Sequence, residues 1–486
     1  MGRTIAVLGG GITGLSAAYY LSRAKAGIKK VVLVEASERL GGWLHSLRLD
    51  SGAVFELGPR ALRPAGDAGA NALNLVEDLG LSAEVLPVLS SAPAAQNRFL
   101  YSKGQLHALP SSFKGLLEVG GLFSRPLIWT ALKEPFVRRG GKREDETIYG
   151  FLERRMGKEA AELLADPLCR GVFAGDARCL SLRSCLPAAY EAQRLTGSLL
   201  LGLAVARRKR DHLLEQCELV RRARAEQWAQ WSLARGLSSL PEALTWAISS
   251  SVEQPCSEIV LGEPVQSLRF TGDGQAEITL PESKIIADHV ISCLPAHALT
   301  RILHPLLAAP LTSVQSVTVA IVNLEYPGSV LPVQGFGHLV PSSEEKGVLG
   351  IVYDSVAFPT HNRPGAATTR LTVMLGGAWF EEVFGEVGEG KSDKSRESFI
   401  HREAVSAVVR HLGVMVPPNV AKTSVHQNCI PQYHEGHWKI VETMQNAISA
   451  QHLPLSLIGT PFTGISVPEC IYAARLAAQR FTESRL

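Results

Sequence analysis

Three glycines near the amino terminus have the spacing G-x-G-x-x-G, as Gly9, Gly11 and Gly14. In this pattern the first glycine permits a tight turn, the second lets backbone N–H groups approach a pyrophosphate, and the third lets a helix pack closely on a strand. The helix dipole then stabilises the phosphate charge. The predicted strand Lys30–Val34 ends at Glu35, whose carboxylate is placed to accept hydrogen bonds from a ribose. These residues predict a dinucleotide site.

A glycine pair, Gly41 and Gly42, follows shortly after this acid, and Gly58 follows the next predicted strand. A nicotinamide domain does not need this pair, whereas FAD has a ribityl chain that must pass the loop, and glycines permit close backbone approach. The alternative for Gly41 and Gly42 is an ordinary turn. We predict non-covalent FAD, because no recognised attachment motif accompanies the glycine turn near the carboxyl terminus.

The elements that position these groups come from both ends of the chain. Thr4–Leu8 is an apolar run that predicts a buried parallel strand, and Leu15–Leu21 predicts the helix that follows it. Ala287–Pro295 predicts a further buried strand, stopped by proline. The carboxyl-terminal part predicts a strand over Leu455–Ile458 and a helix over Pro468–Phe481, which places a second helix dipole near the cofactor.

The chain divides into five predicted segments. Residues 1–90, 226–300 and 426–486 form the cofactor domain. Residues 91–225 are mostly helical, with a helix predicted over Lys114–Leu122, and contribute part of the cavity. At the start of this segment, Asn97–Tyr101 and Gln105–Leu109 predict a hairpin closed by Lys103 and Gly104. Residues 301–425 are strand-rich and suggest a separate sheet. A domain that is assembled from both ends of a chain, with insertions between, is typical of two-domain flavoenzymes.

Composition excludes several classes of protein. The 486 residues suffice for two or three domains, and a net charge of +3 implies no nucleic-acid partner. The eight cysteines lack C-x-x-C pairs and zinc spacing, which favours free thiols. No signal peptide is expected, because Met1 runs almost directly into the first strand. No apolar run is long enough to span a bilayer as a helix.

The apolar stretch Ser198–Ala206 is followed at once by the basic run Arg207–Arg210. Such a helix can dock on an anionic membrane surface. It can equally be a core helix that ends in a solvated basic turn, which the helix dipole favours. A nuclear localisation signal is a third interpretation, and a poor one for an enzyme of this build.

The motifs together resemble those of the flavin amine oxidase superfamily, and within it the animal-type protoporphyrinogen oxidase family. The fingerprint glycines, Arg39–Gly42, Phe55–Arg60 and the carboxyl-terminal turn carry the wider resemblance. The closer one is carried, from end to end of the chain, by Ala94–Tyr101, Leu168–Gly175, Pro332–Pro341 and Asn428–Tyr433.

The resemblance implies an α/β fold: a Rossmann-like FAD domain of the p-hydroxybenzoate hydroxylase type, a strand-rich substrate domain and a helical membrane-binding region. It implies oxidation of protoporphyrinogen IX to protoporphyrin IX by oxygen, with release of hydrogen peroxide, as the penultimate step of haem synthesis. It also implies a homodimer bound peripherally to the mitochondrial inner membrane, on the intermembrane-space side, with hand-over of the product to ferrochelatase. This favours the membrane interpretation of the helical region.

By the same resemblance, two sets of residues are expected at the site. The cofactor set is Gly9, Gly10, Gly11, Ile12, Thr13, Gly14, Glu35, Arg39, Gly42, Trp43, Gly58, Pro59, Arg60, Ala61, Val265, Thr460, Ile465, Ser466 and Val467. The substrate set is Arg98, Leu168, Arg170, Gly171, Phe336, Gly337, Leu339 and Met374.

The chemistry makes few demands on the protein. Oxidation of a porphyrinogen removes a hydride from a meso carbon to flavin N5, and the protein supplies position. No catalytic triad, carboxylate pair or metal motif is evident, so we name no general base. A flat apolar substrate with two carboxylates needs an apolar slot and few polar anchors. Phe336 and Met374 suit the slot, and Arg98 suits the anchor because arginine can hold a carboxylate with two hydrogen bonds.

Other interpretations of these residues stay open at the level of sequence. Phe336 and Met374 are also ordinary core residues, and Arg98 also suits a surface ion pair. An FAD polyamine oxidase would need an acidic, aromatic cavity for a cation, whereas the anchor here is basic. A non-catalytic flavoprotein that binds tetrapyrroles is distinguished by whether porphyrinogen reduces its flavin.

Overall fold

The computed structural model describes residues 2–24, 27–109, 122–124, 126–137, 144–205, 212–250, 256–386 and 394–483. Two predicted features lie outside these residues: the helix predicted over Lys114–Leu122, except for its last residue, and the basic run Arg207–Arg210.

In the described part of the chain, the strands form five sheets, of which two position the site. The strands are β1 Arg3–Leu8, β2 Ile28–Val34, β3 Ser46–Arg48, β4 Val54–Glu56, β5 Val85–Leu89, β6 Phe99–Ser102, β7 Gln105–Ala108, β8 Trp228–Leu233, β9 Cys256–Val260, β10 Ser267–Phe270, β11 Ala276–Thr279, β12 Lys284–Ala287, β13 His289–Ser292, β14 Ser316–Pro327, β15 Gly337–Leu339, β16 Val348–Val352, β17 Thr368–Gly377, β18 Val420–Pro431 and β19 Leu455–Leu457.

The helices cover the cofactor sheet and fill the middle of the chain. The α-helices are α1 Ile12–Ser22, α2 Gly66–Asp78, α3 Pro93–Gln96, α4 Leu127–Lys133, α5 Ile148–Met156, α6 Lys158–Ala160, α7 Asp166–Phe173, α8 Leu182–Cys185, α9 Pro187–Thr196, α10 Leu199–Val205, α11 Glu218–Ala225, α12 Ser239–Ser249, α13 Ala296–Ile302, α14 Pro305–Ala308, α15 Asp354–Ala357, α16 Phe380–Phe384, α17 Lys394–Leu412, α18 His437–Ala450 and α19 Val467–Glu483. A π turn over Ala161–Ala165 joins α6 to α7, and short 3-10 turns lie at Ser82–Glu84, Glu134–Phe136, His212–Gln216, Ala309–Ser313 and Pro359–His361.

The cofactor sheet is parallel throughout, in the order β19-β13-β1-β2-β9. Residues Ile5–Leu8 of β1 are fully buried, because helices cover one face of this central strand, and the β10–β12 sheet together with further helices covers the other. Helix α1 follows β1 and packs against α19 from the other end of the chain. The predicted α/β arrangement with a Rossmann-like sheet is confirmed.

The second large sheet has the order β18-β14-β17-β16-β15-β6-β7, and its strand pairs are antiparallel except for the parallel pair β15–β6. One face packs against α17 through buried side chains that include Val322, Leu324 and Val373. The turn Lys103–Gly104, which has two positive φ angles, closes the predicted β6–β7 hairpin.

This sheet does not follow the predicted segment boundaries. The boundary at residues 425 and 426 falls inside β18, which pairs with β14 as far as Pro431. Strands β6 and β7, whose hairpin was predicted, join this sheet from the segment 91–225. Strand pairing decides which residues belong to a sheet, and a pair such as Phe99 and His338 is invisible in local composition.

A buried ion pair holds the helical region together. Arg155 Nη1 lies 2.7 Å from Glu134 Oε1, and both side chains are almost fully buried. The same carboxylate accepts the Ser198 hydroxyl and the Leu199 N–H group at the start of α10. The pair therefore fastens α5 and α10 to the turn that follows α4. Among the described helices, none is both long enough and apolar enough to cross a membrane.

Candidate active site

The first glycine turn lies at the carboxyl end of β1, where Gly11 caps the amino terminus of α1. A Cβ atom on Gly14 would lie 1.8 Å from the Gly9 carbonyl oxygen, so no larger residue fits there without moving the helix. Gly9 has a φ of 100°, a conformation that glycine adopts freely. The backbone conformation at Gly9 and the close helix approach at Gly14 therefore explain why glycine stands at these two positions of the G-x-G-x-x-G pattern.

The second glycine pair packs directly on the first turn. The Gly41 N–H group donates to the Gly10 carbonyl at 2.9 Å, and a Cβ on Gly42 would lie 3.1 Å from Gly11 Cα. Glu35 lies beside this cradle, with its carboxylate accepting the Gly10 N–H group at 2.6 Å. A side chain on either turn would fill the cradle, and a helix amino terminus points into it. The residues present fit a dinucleotide pyrophosphate, with Glu35 next to the ribose position.

The carboxyl-terminal turn closes the cradle from the other end of the chain. A Cβ on Gly459 would lie 3.5 Å from Thr13 Oγ1, in the first turn of α1. Ser466 precedes α19 and exchanges hydrogen bonds with Glu469, in the capping-box arrangement. The Thr460 carbonyl accepts a hydrogen bond from the Tyr433 hydroxyl. The structure thus brings the two predicted helix termini together.

The loop between the glycine pair and β3 is fixed by Arg39, whose guanidinium donates to the carbonyls of Leu40 and Leu44 at 2.9 and 3.2 Å and to that of Gly42. Arg39 therefore shapes the cradle from outside, and its contact with the cofactor stays a prediction. Three other predicted cofactor residues, Val265, Ile465 and Val467, pack against three different apolar clusters, and their contact with the cofactor also stays a prediction.

Residues 56–61 form what we call the cofactor loop, which leads from β4 toward the second sheet. A Cβ on Gly58 would lie 2.0 Å from the Trp43 carbonyl, so the loop presses against the segment that holds the glycine pair. The Trp43 ring is 41% exposed and meets the His426 ring edge-on at 5.4 Å. His426 Nε2 also donates to the Leu57 carbonyl. The cofactor loop therefore touches β18 of the second sheet.

The second sheet turns one face toward the cofactor loop, and we call it the slot face. Leu339 pairs with Gly350, Gly350 with Met374, and Met374 with Ile321, so these residues form one row across four strands. The adjacent row on the same face contains Gly337, Val352, Thr372 and Asn323. Three predicted substrate residues, far apart in sequence, thus lie on one face.

Arg98 and Phe336 lie at the edge of the slot face. Because β6 pairs in parallel with β15, Arg98 lies beside Gly337. The Phe336 N–H group donates to the Asn97 carbonyl at 3.1 Å, which ties the two chain segments together. The Arg98 side chain is exposed and forms no hydrogen bond or ion pair with the residues that the structure describes. Its charge is available for a ligand.

Helix α7 covers part of the slot face. A Cβ on Gly171 would lie 2.5 Å from Leu339 Cδ2, so the helix approaches the sheet only because this residue is glycine. Leu168 and Val172 are one turn apart on the outer side of α7 and are both exposed. The structure thus places Gly171 against Leu339, whereas the Leu168 side chain is exposed on the outer side of α7.

Arg170 was expected to line the slot, and its side chain is held by backbone carbonyls next to the second sheet. Its buried guanidinium donates from Nε to the Val340 carbonyl at 2.8 Å and from Nη2 to the Glu345 and Val348 carbonyls at 2.7 and 2.8 Å. It also lies 4.3 Å from the centre of the Trp379 ring. Arg170 therefore supports β15 and β16 through backbone carbonyls, and its place in the lining of the slot stays a prediction.

The titratable groups around the cofactor loop are shifted by burial. Burial lowers the pKa of His426, so its ring is neutral at physiological pH. Burial raises the pKa of Glu56 to about 7. Within the described ranges, no group of histidine, cysteine and acidic side chains could hold a metal ion. All eight cysteines are free thiols. On the slot face, the row of Leu339, Met374 and Ile321 is apolar, and the polar side chains of Thr372 and Asn323 lie in the adjacent row, next to the cofactor loop. A largely apolar wall with few polar groups suits a flat organic substrate.

Four polar residues that join the cofactor loop to the slot face were missed by sequence reasoning: Asn323, Asp354, Thr372 and His426. A signal existed for two of them. Asn323 interrupts the apolar run Val319–Leu324, and Thr372 interrupts Leu371–Leu375. A buried polar residue inside an apolar strand needs a partner, which marks the position as worth explaining.

Comparisons with known proteins agree with this geometry. Residues 12–481 match the flavin containing amine oxidoreductase family. Protoporphyrinogen oxidase of Bos taurus is 48% identical over 486 residues, which cover 99% of this chain and 98% of the relative. The human protoporphyrinogen oxidase is 48% identical over 98% of both chains.

Solved structures confirm the fold. A crystal structure from Exiguobacterium superposes with a TM-score of 0.77 over the whole of both chains at 23% identity. Cyclohexylamine oxidase from Brevibacterium oxydans gives a TM-score of 0.67 at 16% identity, covering 100% of this chain and 99% of that one. At these identities only the fold is shared. The family match and the two mammalian relatives establish that the chain belongs to the flavin-containing amine oxidoreductase family, in its protoporphyrinogen oxidase branch.

Proposed function

We propose that this chain oxidises protoporphyrinogen IX to protoporphyrin IX, with FAD as cofactor and oxygen as electron acceptor, and releases hydrogen peroxide. One observation carries the proposal: the cofactor loop lies against a sheet face with an apolar row, and at the edge of that face lies the exposed Arg98, whose side chain has no partner among the described residues. Full-length relatives at 48% identity that are named protoporphyrinogen oxidase support the choice of substrate.

The protein's own residues have three tasks in this proposal. Leu339, Met374 and Ile321 provide an apolar row that excludes water from a flat macrocycle. Phe336 closes the edge of the slot. Arg98 holds a propionate carboxylate with a charge-assisted hydrogen bond, which fixes the orientation of the ring. When bound, FAD supplies a hydride acceptor at N5 and passes electrons on to oxygen. No side chain is assigned as the proton acceptor.

A direct test is aerobic incubation of the purified, flavin-loaded protein with protoporphyrinogen IX. Porphyrin fluorescence and peroxide should rise together, well above the spontaneous oxidation measured with flavin-free protein. A rate equal to that background would overturn the proposal. Reduction of the flavin by a polyamine, with porphyrinogen inert, would instead make the chain an amine oxidase.

The proposal includes peripheral binding to a membrane by the helical region. Two elements that are fastened together by the Glu134–Arg155 pair expose large apolar side chains, and we call these the apolar patch. On α4 and the following turn, Phe136 is 88% exposed and Trp129 is 59% exposed. The other members of the patch are Leu132, Leu200, Leu201, Leu203 and Val205. Clustered apolar exposure of this kind is typical of an interaction surface.

Three further parts of the proposal are supported by the resemblance alone. They are the location on the mitochondrial inner membrane at the intermembrane-space side, the homodimer, and hand-over of the product to ferrochelatase.

Vesicle sedimentation tests the membrane part. The wild-type protein should pellet with anionic vesicles, and Phe136→Asp with Leu201→Asp should leave most of it in the supernatant. Leu306 on α14 is 83% exposed and lies outside the patch, so Leu306→Asp is the matched control and should pellet like the wild type. Equal sedimentation of all three proteins, or a wild-type protein that stays in solution, would contradict membrane binding through the apolar patch.

A further inference from the structure

A continuous chain of buried polar contacts connects the cofactor loop to the slot face. Arg60 Nη1 lies 3.1 Å from Asp354 Oδ1, and Asp354 Oδ2 accepts the Thr372 hydroxyl at 2.6 Å. Thr372 Oγ1 also lies 2.8 Å from Asn323 Oδ1. Asn323 Nδ2 in turn donates to the Glu56 carbonyl at 3.2 Å. This series of contacts therefore begins at Arg60 and ends at Glu56, both of which belong to the cofactor loop.

Both ends of the cofactor loop are held in this way, with Glu56 at its start and Arg60 near its end. A third contact fixes its middle, where the Leu57 carbonyl accepts the His426 side chain. The strands that supply these groups are β14, β17 and β18, and α15 supplies Asp354. Because the contacts bracket Gly58, the loop cannot shift along the sheet without breaking at least one of them.

The contact chain also lies directly beside the predicted substrate row. Thr372 is two residues from Met374 on β17, and Asn323 is two residues from Ile321 on β14, so all four side chains share the slot face. Thr372 is fully buried and Asn323 almost so. The same two strands thus carry the wall of the slot and the attachment of the cofactor loop.

From this arrangement we infer that Thr372, Asp354 and Asn323 are positioning residues, which set the distance between the flavin and the substrate by clamping the cofactor loop to the slot face. This attachment matters because the rate of hydride transfer depends on the distance between the two reacting atoms. A displacement of about 1 Å can lower the rate about a hundredfold. The inference rests on the proposed function for the identity of the substrate, but not for the attachment of the cofactor loop.

The test compares two substitutions of one buried residue. Thr372→Val keeps the shape of the side chain and removes its hydroxyl, whereas Thr372→Ser keeps the hydroxyl and removes a methyl group. Each flavin-loaded variant is measured by kcat and KM for protoporphyrinogen, by visible circular dichroism of the flavin and by the dissociation constant of FAD from the reconstituted protein. The last two readouts need no substrate.

Thr372→Val should lower kcat about tenfold or more with little change in KM, should alter the flavin circular dichroism and should weaken FAD binding. Thr372→Ser should restore most of each property. The inference is overturned if Thr372→Val lowers only the melting temperature, with kcat, dichroism and FAD affinity as in the wild type, since the contacts then serve stability alone.

If Thr372→Val does not fold, Asp354→Asn provides the same comparison, because the amide keeps an acceptor for Thr372 while removing the charge opposite Arg60. It should show the same loss of kcat and change in flavin dichroism, and a wild-type kcat and spectrum would overturn the inference. A wild-type protein that does not oxidise protoporphyrinogen would overturn the proposed function instead. In that case flavin dichroism and the FAD titration would still test whether these residues hold the cofactor loop in place.

Discussion

The glycine cradle and the slot face meet at the cofactor loop, but they are built in opposite ways. The cradle depends on backbone, and most of its members lie within the first 58 residues. The slot face depends on side chains from five strands between Ser316 and Pro431, which are aligned by register. A substitution in the cradle therefore acts through steric exclusion, whereas one on the slot face acts through position and packing.

This difference predicts that the two regions fail differently. Damage to the cradle should remove the cofactor altogether. Damage to the slot face should leave a flavin-loaded protein with altered kinetics. The following changes are arranged from the largest expected effect to the smallest.

Gly14→Val should abolish loading with FAD. The added side chain would begin 1.8 Å from the Gly9 carbonyl, so α1 must move away from β1 and the cradle opens. The flavin-to-protein ratio of the purified variant measures the effect. Gly272 has open space around it and an ordinary φ, so Gly272→Val is the matched control and should load normally. A fully loaded Gly14→Val protein would refute the steric role of this glycine.

Arg98→Ala should keep its fold and its FAD but lose activity mainly through KM. Loss of a charge-assisted hydrogen bond costs about 1.5–3 kcal/mol, which corresponds to about a ten- to hundredfold fall in kcat/KM. Arg98→Lys should recover part of this, as a charge without the planar fork. Arg269 is exposed on β10, away from the slot face, and Arg269→Ala serves as control. Wild-type kinetics for Arg98→Ala would mean that the carboxylates are held elsewhere.

Gly171→Ala should raise KM for protoporphyrinogen about fivefold or more, while the free energy of unfolding falls by no more than about 2 kcal/mol. The new methyl group would force the Leu339 side chain into the slot, at about 1–3 kcal/mol, while alanine favours the helix over glycine. Steady-state kinetics and a melting temperature measure the two effects. Combining it with Leu339→Ala should restore much of the KM, because the two changes act on one contact. Strictly additive effects would contradict that contact.

Glu56→Gln should change the pH dependence of stability more than activity at neutral pH. Burial raises the pKa of Glu56 to about 7, so the folded protein binds this proton more tightly than the unfolded chain does. Its contribution is full below about pH 4.5 and is lost as the pH rises through about 7. Melting temperatures between pH 5 and 8 should therefore fall less steeply for Glu56→Gln. Parallel curves would show that Glu56 does not titrate in this range.

The cradle could be predicted from sequence because the features that form it are close together in the sequence. The glycine spacing, the acid that ends β2 and the second glycine pair all lie in one continuous stretch, and the structure brings them together as expected. The hairpin at Lys103 and Gly104 was accessible for the same reason.

The slot face could not be predicted in this way, because its register depends on which strands pair. Arg170 illustrates the problem: the resemblance places it among the slot residues, but only the fold reveals that backbone carbonyls surround its guanidinium. Asn323 and Thr372 are polar groups inside apolar strands, so the sequence indicates that they need partners without indicating which. The partners lie on the cofactor loop, up to 294 positions away.

The central claim is that the cofactor loop presents the flavin to a substrate held on the slot face, and an anaerobic mixing experiment tests it most directly. Flavin-loaded protein is mixed with protoporphyrinogen IX in the absence of oxygen, and the yellow flavin band is followed before and after oxygen is admitted. The account predicts that the band bleaches on mixing and returns with oxygen, while porphyrin fluorescence rises. A flavin that stays oxidised in the presence of excess protoporphyrinogen would contradict it.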